Sequence, residues 1–168
     1  MQGNIFTSAM RGGLVLGVLF SANFLLSVPQ NTITGLLTYA VMAVIVAATY
    51  RLAARFRDQE CGGYIGYGKA FAFILASFFY AALISSLVKF IYFQFINPDY
   101  LGNLYNQSML TLEKMGLSAA DGVEESVEAL LQPASFALQY IWVNLLAGCF
   151  VGLVTAAFIK KEKSIFES

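Results

Sequence analysis

Histidine is missing altogether from this 168-residue chain. Its absence removes the commonest metal ligand and the commonest general acid/base at once. A zinc centre of the usual kind goes with it, and so does any Ser-His or Cys-His nucleophile. Charge is scarce too: Asp, Glu, Lys and Arg make up 12% of the residues, against about 25% in soluble domains. The two cysteines, Cys61 and Cys149, do not amount to a disulfide framework, because one sits beside basic residues and the other within an apolar run. Both read as free thiols. What is present instead is apolar: 58% hydrophobic and 15% aromatic, with a mean hydropathy of +0.68. Such a surface is matched to lipid rather than to water, and the length fits a single integral membrane domain, 1–168.

A bilayer core about 30 Å thick takes roughly 20 helical residues to cross. Four apolar runs have that length, at about 9–28, 33–50, 70–96 and 135–159. Backbone groups in lipid must be satisfied internally, which predicts helices: an all-α polytopic protein. Val28-Pro29-Gln30-Asn31 leaves so short a gap that the first two spans form a tight hairpin. Arg11 followed by an apolar stretch has the outline of a secretory signal. No small-x-small cleavage pattern closes that stretch, and Gly12, Gly13 and Gly17 suit a packing face better. Lys and Arg accumulate in cytoplasmic flanks. Arg11, Arg51, Arg55, Arg57, Lys69, Lys160, Lys161 and Lys163 all fall on one side, which predicts cytoplasmic N- and C-termini. Segment 97–134 then lies outside, with six carboxylates against the single Lys114.

That outer segment predicts a helical hairpin. Asn97-Pro98 starts one helix, whose inner face is Leu101, Leu104, Tyr105, Ser108, Leu112 and Met115, and Gly116 ends it. Ser118 and Asp121 then suggest a capping box for a second helix with the stripe Val123, Val127, Leu130 and Leu131. Glu124, Glu125 and Glu128 read as its solvated face.

Gly63 to Ala70, GYIGYGKA, comes close to the phosphate-binding pattern G-x-x-x-x-G-K-[ST]. Position 70 is alanine, however, the residues before it are charged rather than strand-like, and a membrane span follows. The stretch reads instead as a turn along the inner membrane face, with Tyr64 and Tyr67 in the interfacial belt and no nucleotide. A weaker functional reading has Arg55, Arg57 and Lys69, with Tyr64 and Tyr67, holding an anionic lipid head group or a partner's acidic segment.

Inside lipid, helices associate where small residues let backbones approach. Gly13-x-x-x-Gly17 and Gly148-x-x-x-Gly152 lie at compatible depth in antiparallel spans, so spans one and four are expected to touch directly; the rival is that one glycine face receives another subunit. Ala43/Ala47 and Ala72/Ala76 are milder versions. Polar residues within the spans are few: Asn23, Ser77, Ser85, Ser86, Lys89, Gln139 and Asn144. Lys89 is expected to snorkel to the outer interface, with pairing to Asp99 or to a lipid phosphate as the alternative. Asn23 and Asn144 are expected to hydrogen-bond across helices.

The short-hairpin pair, the basic loop ending in GYIGYGKAF, Phe95-Ile-Asn-Pro-Asp-Tyr100, Leu112-Glu-Lys-Met-Gly116 and the last span ending in lysines together carry a resemblance. In that order they look like a bacterial family of small four-helix inner-membrane proteins known only as a domain of unknown function. The resemblance covers nearly the whole chain. It implies a bacterial inner membrane and four spans, brings no catalytic residues, and suggests a lipid-linked glycosyltransferase as partner.

These readings converge on a non-enzymatic accessory or scaffold subunit, without cofactor, metal or nucleic acid, that binds another membrane protein or a second copy of itself. The alternative is a small transporter or lipid-handling oligomer in which Asn23, Ser85, Lys89 and Asn144 line a path. An enzyme of lipid chemistry comes third, since no residue spacing supports it.

Overall fold

The computed structural model describes residues 5–29, 31–116 and 122–161; the expected Ser118–Asp121 cap lies outside them. Among these described residues six α-helices follow in order: α1 (Ile5–Ser27), α2 (Thr32–Glu60), α3 (Tyr67–Ile91), α4 (Asp99–Lys114), α5 (Val123–Leu131) and α6 (Pro133–Ile159), with a π-helical turn, Tyr92–Ile96, continuing α3. Among the described residues there is no strand, only an isolated antiparallel backbone pair between Ile65 and Lys161. α1, α2, α3 with its π turn, and α6 are long and apolar enough to cross a membrane. The fold is all-α, and the chain is a multi-pass membrane protein.

Local chemistry sets the helix ends. α2 begins at a reciprocal cap, in which the Thr34 amide donates to Asn31 Oδ1 (2.8 Å) and Thr34 Oγ1 accepts from the Asn31 amide (3.4 Å). It continues about ten residues beyond the expected span. Arg, Ala, Leu and Glu are good helix formers, and nothing stops the helix before Gly62 and Gly63, both at positive φ (67° and 86°). At 1.5 Å per residue, its 29 residues reach about 43 Å and overrun a bilayer core. α3 ends differently. Pro98 has no N–H to continue the helix, and the chain widens to a π turn closed by the Asn97 amide on Tyr92 O (2.9 Å).

Two compact units divide the chain. The first is Met1–Ser85 with Trp142–Ser168, and α3 is its axis. Gly13 and Gly17 of α1 face Ser77, Tyr80, Ala81 and Ile84, while Gly148 and Gly152 of α6 face Phe71, Ile74 and Phe78. The expected direct contact of spans one and four is thus corrected: both glycine faces are taken up by α3. The physical reason is that α3 carries bulky residues that only a bare backbone admits. A Cβ on Gly148 would fall 2.7 Å from Phe78 Cβ, and one on Gly17 would fall 2.9 Å from Ile84 Cβ. Phe56 of α2 stacks on Phe73 (centroids 4.3 Å, 6°), and Phe20 meets Phe78 edge-on at 5.4 Å. Of the residues in their apolar stretches, 44% are buried in α3 with its π turn and only 11% in α2. More than half of the α2 residues are exposed.

The second unit is Ser86–Ile141. Phe93 (1% exposed) is its centre, 5.3 Å from the rings of both Tyr100 and Phe136. α4 turns Leu101, Leu104, Tyr105, Ser108 and Leu112 inward as expected, but Met115, past its end, is 66% exposed. In α5, Val123, Val127 and Leu131 are half-buried, whereas Leu130 is exposed. Tyr105 Oη donates to Glu124 Oε1 (3.0 Å), tying α4 to α5. Gln139 Nε2 donates to the Leu130 carbonyl (2.8 Å), one of the carbonyls a helix end leaves open.

Candidate functional site

In the first unit the helix ends that carry basic residues are drawn together. α1 joins α2 through Ser8 Oγ, which donates to Glu60 Oε2. α2 joins α6 through Arg57 Nη1, which donates to the Ile159 carbonyl (3.3 Å). A cation there meets the negative end of the α6 dipole. The same guanidinium holds Asp58 through Nε (2.8 Å) and Nη2 (3.2 Å). The α2–α3 turn joins the end of α6 where the Ile65 and Lys161 backbones exchange two hydrogen bonds of 3.0 Å. Tyr67 Oη donates to the Leu153 carbonyl (3.2 Å).

Of the sequence-predicted contact residues, this end gathers Arg57, Tyr64, Tyr67 and Lys69, and each is engaged within the fold. Lys161 Nζ stands over the Tyr64 ring at 5.5 Å, and Lys69 Nζ over the Phe56 ring at 6.0 Å, distances at which a cation and a ring face attract. The GYIGYG stretch therefore works as a clasp, with Ile65 (3% exposed) turned into the core.

Arg55 is different. It lies with Arg51 on α2, both exposed and neither with a hydrogen bond or ion pair among the described residues. The two head an open groove of about 390 Å³ between α1 and α2, floored by Val15, Val44, Ala48 and Leu52. Sequence reasoning missed Arg51 and the groove. The available signal was the i, i+4 spacing of Arg51 and Arg55 beside the alanine pair 47 and 48, which leaves room against α1.

Lys89 belongs to the second unit and does not snorkel. It is 4% exposed, with Nζ 4.6 Å from the Tyr140 ring centroid. The correction has a geometric cause: Lys89 shares the inward face of α3 with Ser86, whose hydroxyl donates to the Ala137 carbonyl (2.6 Å). Turned inward, its ammonium is not a lipid-facing contact. In the first unit, Asn23 Oδ1 and Asn144 Nδ2 are buried without a hydrogen-bond partner among the described residues, contrary to the expected cross-helix bonds. Among those residues no three Asp, Glu or Cys side chains stand close enough to hold a metal ion, and both cysteines are free.

The family model described as "Protein of unknown function (DUF4199)" matches residues 11–161. The chain belongs to this family. The matched span takes in both groove arginines, the α2–α3 clasp and Lys89. Neither among curated proteins nor among solved structures does a match to the chain emerge.

Proposed function

We propose that the chain is a non-enzymatic accessory or scaffold subunit of a bacterial inner membrane, with both termini and the basic helix ends on the cytoplasmic side. Its task is to bind another membrane protein through α2. The observation that carries this reading is the coverage of α2, where only 11% of the residues in the apolar stretch are buried. Ile45, Thr49, Ala53 and Phe56 form its one buried stripe. On a different face, Tyr39, Ala43, Val46 and Tyr50 recur at helical spacing and are all exposed. The small Ala43 between two tyrosines gives a second helix a place for close approach. The four packing glycines are already occupied by α3, so a partner has to use another surface. A lipid-linked glycosyltransferase is the partner class that the sequence resemblance suggests.

The test is affinity purification from native membranes in mild detergent. A stoichiometric membrane-protein partner is expected, and Ala43→Trp should lose it while the variant itself is still recovered folded. Repeated recovery of the unmodified protein alone would contradict the proposal.

A second reading, a small transporter or lipid-handling oligomer, is favoured by the burial of Lys89, since an ionisable residue inside a membrane helix is a functional candidate by default. A four-span monomer has little room for an aqueous path. Light scattering in detergent should then give the mass of a homo-oligomer, and a monomer mass would exclude this reading.

A further inference from the structure

We propose that the groove between α1 and α2 binds one anionic glycerophospholipid from the surrounding bilayer, its phosphate on Arg51 and Arg55 and one acyl chain along Val15, Val44, Ala48 and Leu52. Depth is the first argument. Counting from Thr32, roughly 20 residues cross the hydrocarbon core, which puts Arg51 at its edge and Arg55 one turn, about 6 Å, beyond. Val44, seven residues before Arg51, lies about 10 Å into the core on the same count. The groove therefore runs from hydrocarbon to head-group level, apolar at one end and doubly cationic at the other. A phospholipid has that same polarity along its length.

Charge is the second argument. Residues at i and i+4 present their side chains on one helix face, and two planar guanidinium forks suit the oxygens of one phosphate. Arg57, two residues on, already serves Asp58 and the Ile159 carbonyl. Arg51 and Arg55 have no such partner among the described residues. The third argument is chemical exclusion. An acidic peptide laid along Val44 and Ala48 would bring unsatisfied backbone N–H and C=O groups into hydrocarbon, and a free phosphate ion would leave the apolar floor unused. On α1, Arg11 lies one helical turn from Val15 on the same side, at the basic end. The site stands whether or not the Tyr39–Tyr50 face of α2 carries a partner protein.

The test uses the full chain, purified and delipidated in a neutral detergent. It is titrated with dioleoyl phosphatidylglycerol, with dioleoyl phosphatidylcholine or with inorganic phosphate, and bound lipid is counted by native mass spectrometry. One phosphatidylglycerol is expected to bind at least tenfold more tightly than phosphatidylcholine of the same chains, and phosphate should neither bind nor compete. Arg51→Gln/Arg55→Gln should cut phosphatidylglycerol binding at least tenfold and leave phosphatidylcholine unchanged; Arg55→Gln alone should fall between. Ala48→Phe, which fills the groove and keeps both arginines, should weaken binding as well. Several results would overturn the proposal: equal binding of the two lipids, unchanged binding by the double glutamine variant, competition by inorganic phosphate, or a lipid-free dimer in which a second copy occupies the groove.

Discussion

Gly148 shows how much one missing methyl group decides. Phe78 is 2% exposed and stands where the glycine leaves the α6 backbone bare, so a Cβ added at position 148 would fall 2.7 Å from both Phe78 Cβ and Cγ. Gly35 has nothing within 4 Å of the same construction. Gly148→Ala is therefore expected to destabilise the protein by roughly 1–3 kcal/mol through overpacking. Gly35→Ala should be neutral or stabilising by up to about 1 kcal/mol, because alanine loses less conformational freedom in a helix interior. Thermal unfolding in detergent separates the two; equal effects would remove α3 from the account of why glycine stands at 148. The sequence made the small-residue spacing visible, but it could not tell which helix fills the space. That depends on where Phe71, Ile74 and Phe78 point, and a span as uniformly apolar as α3 offers no amphipathic stripe to orient it. Lys89 was misread for the same reason. Its partner Tyr140 lies seven residues into α6, while Lys89 lies seven residues before the end of the π turn at Ile96. This correspondence in depth becomes legible only once the helix ends are known.

Among the elements, existence and order were readable and the ends less so. Apolar length alone gave the four long helices. The extension of α2 to Glu60 was hidden because basic residues suggest a loop, although Arg and Glu are as content in an exposed helix as in a turn. The α4–α5 pair was legible from its inner faces, and the bond between them was not. Tyr105 donates to Glu124, and this hydrogen bond, followed by loss of hydration and the nearby carboxylate charge, raises its phenol above the usual value. A phenol raised on folding contributes stability that is fully present below its unfolded value, about 10, and is lost as pH rises through the folded one. The difference between the tyrosinate absorbance titrations of the wild type and Tyr105→Phe should accordingly centre above pH 10. A difference centred at or below that value would mean that the Tyr105–Glu124 bond is not held in solution.

For the whole molecule, the central proposal is a membrane protein whose basic helix ends face the cytoplasm, since the proposed α2 docking face and phospholipid groove both take their side of the membrane from it. Composition made the membrane legible; the gathering of Arg57, Tyr64, Tyr67 and Lys161 into a clasp was beyond it, because backbone pairing such as Ile65 with Lys161 leaves no side-chain signature in the sequence. The most direct test uses single cysteines in a Cys61→Ser/Cys149→Ser background and a membrane-impermeant thiol reagent on spheroplasts. Gln59→Cys and Glu113→Cys both lie at exposed positions, one at the end of α2 and the other in α4. Glu113→Cys is expected to react in intact spheroplasts, and Gln59→Cys only after the membrane is opened. Labelling of Gln59→Cys from outside, with Glu113→Cys protected until the membrane is opened, would invert the chain and contradict the claim.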